Sequence, residues 1–168
     1  MRLPFFILAL VLAAASSGAV AADGSPSASS ADFDRAMAPI HTRAELDGYL
    51  ARNHAHNPLE ALSPAARERF LASLQFGPKG LASLKVDELS AELSAAQAYR
   101  LLALFGLQTA LAGMPALQVV SEDDRAVDAW RAGVTVPDYF ILNAICTGRS
   151  WICQSLYGGI CWGPCPIN

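Results

Sequence analysis

The chain is short of charge, of aromatic residues and, until position 146, of cysteine. Charged residues make up only 16% of it and the net charge is −3, so a basic surface for nucleic acid is not expected. Histidine occurs three times, at His41, His54 and His56, too few to assemble a metal site without ligands from elsewhere. There is no Gly-x-Ser-x-Gly elbow, no His-Glu-x-x-His helix and no phosphate-cradling glycine loop. No catalytic residue, cofactor or metal is therefore assigned, and an enzyme is not the expected reading. The lack of cysteine near the N-terminus also excludes a lipid anchor attached there.

What is present at the start is a secretory pattern. Arg2 precedes the apolar run Leu3 to Ala15, which is too short for the ~20 residues a spanning helix needs. Small residues at Ala19, Ala21 and Ala22 then offer cleavage after Ala21 or Ala22. Residues 1–22 are expected to be a removable signal and the product to be secreted or periplasmic. Its loss removes Arg2 and no acid, so the mature charge is −4 on about 146 residues, enough for one core. Residues 23–38 open on Gly24, Ser25, Pro26 and Ser27 and read as a flexible spacer.

Residues 39–132 carry helical punctuation. Thr42 with Glu45, and Ser94 with Gln97, are capping boxes that satisfy backbone donors orphaned in the first turn. Ser63–Pro64 is an N-cap with proline at the first helical position, and Gly77–Pro78 is a stop. These signals predict helices over 43–53, from 64 onward with Ala66, Phe70 and Leu74 inward, over 87–93 and over 95–105. A last helix starts at Ser121, where Glu122, Asp123 and Asp124 suit the positive end of the dipole, and stops at Gly133. The uncharged stretch 101–120 reads as buried core or as membrane-associated. Gly106, Gln108, Gly113 and Pro115 favour the core.

The texture changes over 133–168. Asp138 and Arg149 are its only charges, while Trp151, Tyr157, Trp162 and all four cysteines lie there. Cys146, Cys153, Cys161 and Cys165 are separated by six, seven and three residues, a spacing unlike zinc knuckles and unlike the two-residue gap of thiol oxidoreductases. In an exported chain they are expected to form two disulfides, in any of three pairings. The fold expected is mainly α: a small helical domain followed by a disulfide-stapled, irregular or weakly β C-terminal segment. Trp151, Tyr157 and Trp162 form its candidate binding surface, suited to a protein or a membrane surface.

Cys146 to Asn168, with the Leu62-Ser63-Pro64 helix start inside Asn57 to Arg67, resembles bacteriocin-related exported precursors of the fulvocin-like group. The resemblance implies an antibacterial C-terminal peptide carried or neutralised by a helical region. The alternative is a secreted or periplasmic interaction protein whose disulfide-stabilised loop binds a partner.

Overall fold

A computed structural model describes residues 30–52, 56–114, 117–134, 140–146 and 153–162. The signal at 1–22, His54, Trp151 and Cys165 lie outside these. The described helices are α1 (Ser30–Met37), α2 (Arg43–Leu50), α3 (Pro64–Ser73), α4 (Asp87–Glu92), α5 (Ala95–Ala103) and α6 (Glu122–Ala132), with 3₁₀ turns at Pro58–Ala61 and Gln108–Gly113. The strands are β1 (Gln75–Gly77), β2 (Gly80–Lys85), β3 (Phe140–Cys146) and β4 (Cys153–Trp162).

The caps act as their chemistry requires. Thr42 and Ser94 each accept from the backbone N–H three residues on, and Glu45 and Gln97 return the bond. Ser121 and Asp124 form a third such box. Gly106, just beyond α5, has φ +66, as a left-handed stop demands. Replacing Ser94 with alanine is expected to cost about 1 kcal/mol, read as a lower thermal midpoint at an unchanged helix content. An unaltered midpoint would remove the cap from the account of α5.

The expectation of a mainly α fold with a separate tail is overturned. The four strands form one antiparallel sheet in the order β1–β2–β4–β3. β1 and β2 lie inside 39–132, the segment expected to be a helical domain, and β2 pairs with β4 through Ser83↔Cys161, Leu84↔Ile160 and Lys85↔Gly159. The physical reason is that Gly80-Leu-Ala-Ser-Leu-Lys85 contains no β-branched residue, so its strand state comes from a partner some 75 residues away rather than from propensity. Gly77–Pro78, read only as a helix stop, opens the β1–β2 turn.

The second half of the expected spacer is helical instead. Within 23–38, residues 30–37 form α1, with Ala31 and the following Ala38 buried. A side chain on Gly106 would meet the Arg35 Cα at 2.5 Å, so the missing Cβ is what lets α1 cross this turn. Arg35 then donates to the carbonyls of Lys79 and Leu81 at 3.2 and 3.3 Å and stands 5.8 Å from the Trp162 ring centroid.

One core joins all of this. Phe70, Leu84, Leu89, Leu101, Leu102, Leu107, Leu111, Ile160 and Trp162 are buried together. The stretch 101–120 contributes to that core through Leu101 to Met114 and Leu117. No helix among the described residues is long and apolar enough to cross a membrane.

Candidate functional site: a folded-over hairpin and the groove beside it

β3 and β4 begin in ordinary register, with Phe140↔Trp162, Ile141↔Cys161 and Leu142↔Ile160, and resume at Ala144↔Ser155, Ile145↔Gln154 and Cys146↔Cys153. Between these blocks Asn143 alone faces Leu156 to Gly159. So unequal a pair cannot stay flat. Asn143 takes φ +54 and Gly158 φ +72, and the Gly158 N–H donates to the Asn143 Oδ1 at 3.3 Å across the bend. A Cβ on Gly159 would lie 2.6 Å from the Ala144 carbonyl oxygen, so this turn requires glycine there as well.

The bend folds the strand ends at Cys146 and Cys153 back over the sheet. Cys153 and Cys161 are joined by a disulfide, with their Cα atoms 5.9 Å apart. Eight residues of straight strand would separate them by roughly 26 Å. Cys161 faces the returning tip, whereas its neighbours Ile160 and Trp162 face the helical core, as the alternation of a strand requires. The tip is further held by the Cys146 N–H, which donates to the Ser83 Oγ at 3.1 Å. Ala82, Ala144, Cys146 and Cys161 make a second, small apolar cluster under it.

Of the three pairings open to the sequence, Cys153–Cys161 is the one formed. Cys146 is disulfide-bonded too, and its sulfur lies 3.7 Å from that of Cys161, so two bridges touch. Cleavage after Trp151, Tyr157 and Trp162 separates all four cysteines. Mass spectrometry of such a digest, without reduction, is expected to find the Cys153 and Cys161 fragments linked to each other; a Cys146–Cys153 link would contradict the fold.

Beside the bend runs a groove of about 550 Å³, lined on one side by Val86, Asp87 and Ser90 and on the other by Asn143, Tyr157 and Ile160. The Val86 N–H donates to the Gly158 carbonyl at 2.8 Å, which joins its two walls. Gly158 is in contact with the Asp87 carboxylate: a side chain there would collide with it. The Ser90 hydroxyl is buried on this wall without a hydrogen-bond partner among the described residues. Tyr157 is 86% exposed.

The candidate residues are thus separated. Tyr157 is at the surface, Trp162 is 2% exposed and belongs to the core, and Trp151 lies outside the described residues. Of the described histidines, the His41 Nε2 donates to the Arg35 carbonyl at 2.8 Å and His56 is exposed. Among the described residues no cluster of three metal-ligating side chains occurs. Asp87, Ser90 and Asn143 were not singled out from the sequence. Gly158–Gly159 inside an aromatic, β-prone run was the available signal, since paired glycines there mark a bulge or a close approach as well as a turn.

No family model matches the chain, and no curated protein or solved structure does either.

Proposed function

We propose that the chain is an exported, non-enzymatic binding protein that engages a partner protein through the folded-over hairpin and its groove. The observation that carries this reading is Tyr157: a large aromatic side chain held 86% exposed at the crest of a bend whose surroundings are otherwise locked by glycines, hydrogen bonds and a disulfide. A rigid scaffold that presents one amphipathic ring is the arrangement of a recognition site. Ser90 and Asp87 both line the groove, but the Ser90 hydroxyl has no hydrogen bond to Asp87 or to any base among the described residues, which favours binding over catalysis. Export is supported by the signal-like N-terminus and by disulfides, which persist in oxidising compartments.

A released antibacterial peptide is the competing reading. It requires β4 to leave the sheet, where it is hydrogen-bonded on both sides, and Ile160 and Trp162 to leave the core. Recovering the protein from the periplasm and from culture fluid separates the two. The binding reading expects one intact mature chain beginning near Ala22 or Asp23. A free C-terminal fragment that inhibits bacterial growth would overturn it.

A further inference from the structure

We propose that the groove accepts a lysine or arginine side chain presented by a segment of the partner protein. This rests on the binding reading above and specifies its ligand. The Asp87 carboxylate has no hydrogen-bond or ion-pair partner among the described residues. Arg69, across the neighbouring rim, is engaged by Glu88 at 2.5 and 2.8 Å, and Lys85 on that rim makes no ion pair with Asp87. Gly158, by lacking a side chain, lets this carboxylate lie against the bend next to Tyr157.

Among the described residues the groove therefore offers one carboxylate without a partner and an exposed aromatic ring, with Val86, Ala91 and Ile160 as apolar wall and no cationic residue in its lining. A cation on a long apolar stem complements every part of that surface. The stem lies along the apolar wall while the head reaches the carboxylate and the ring face. The chain's net charge of −3 adds attraction of the same sign over longer range. A space of about 550 Å³ falls within the range of ligand sites and leaves room for backbone flanking the side chain.

The test uses the full mature, oxidised protein labelled with ¹⁵N, titrated with an end-blocked Gly-Ser-Lys-Ser-Gly peptide and with versions carrying norleucine or acetyl-lysine instead. The lysine peptide is expected to shift the amide signals of Tyr157, Gly158 and Gly159, with affinity about tenfold above the uncharged versions. Asp87→Asn, which keeps the side chain's shape, is expected to abolish that preference, and added salt to reduce it. Equal binding of the norleucine peptide, or an unchanged preference in Asp87→Asn, overturns the cation and leaves the groove as a binding site. Spermidine matching the peptide overturns the protein partner. No groove signal moved by any probe at millimolar concentration overturns this inference and, if Tyr157→Ala also leaves partner binding intact, the reading beneath it.

Discussion

Replacing Asp124 with alanine is expected to lower the stability by about 3–5 kcal/mol, a shift of roughly 10–15 °C in the thermal midpoint. The side chain is 1% exposed, yet it is an anion. One carboxylate oxygen accepts from the Ala96 N–H at 2.8 Å; the other accepts from the Val120 and Ser121 N–H groups at 3.1 and 2.9 Å and from the Ser121 hydroxyl at 2.7 Å. Asp124 thereby caps its own helix α6 and also the first turn of α5, where Ala96 has no intrahelical acceptor. Truncation strands the Ala96 N–H in the interior and leaves the part-buried Val120 and Ser121 donors without their acceptor, and each buried unpaired group costs about 1–3 kcal/mol. A loss under 1 kcal/mol in equilibrium denaturation would show that water replaces the carboxylate at little cost.

The same site sets an acid limb. Burial works to raise the Asp124 pKa, but the bonds from Ser121, Ser94, Ala96 and Val120 outweigh it and hold the carboxyl well below its ordinary 3.8. Because the folded-state value is depressed, the stabilisation is present in full above the unfolded-state range and is lost as pH falls below about 3.8. Asp124→Asn has no carboxylate to take up a proton, so its stability should fall less steeply over that window. A slope equal to that of the parent would assign acid unfolding to other carboxylates.

Legibility from sequence followed the range of the interactions. Thr42 with Glu45 and Ser94 with Gln97 are local devices, complete within four residues, and the helices they start were readable. Asp124 was readable as part of an acidic helix start, but its bond to Ala96, 28 residues away, was not. β2 has no strand signature of its own and exists because β4 pairs with it. The groove is still less local: Asp87 ends up against Gly158 only after the sheet has formed and the hairpin has folded over. Trp162 shows the same limit from the other side, since composition grouped it with Tyr157 while strand alternation sent it into the core.

Removing the Cys153–Cys161 bridge, by changing both residues to alanine so that no free thiol can reshuffle, is expected to cost about 2–3 kcal/mol through the freed chain alone, the loop closed being eight residues. The local consequence should exceed the global one. Strands prefer to run straight, and β4 is kept doubled back by this bridge, by the Cys146 N–H bond to Ser83 and by the Asn143–Gly158 bond. Without the bridge these hydrogen bonds, the Val86 bond to Gly158 and the small apolar cluster are left to oppose straightening. The Cys146 and Tyr157 amides should then exchange with solvent much faster, while those of α5, buried through Ala98, Leu101 and Leu102, keep their protection. Full reduction of both disulfides should extend the loss to the β2–β4 pairing, and with it to Leu84, Ile160 and Trp162 in the core. If tip amides in the double variant exchange as slowly as in the parent, the glycine-permitted bend rather than the covalent link is what shapes the hairpin. The groove beside Tyr157 would then persist in a reducing medium, and binding there would be independent of the redox state of the compartment.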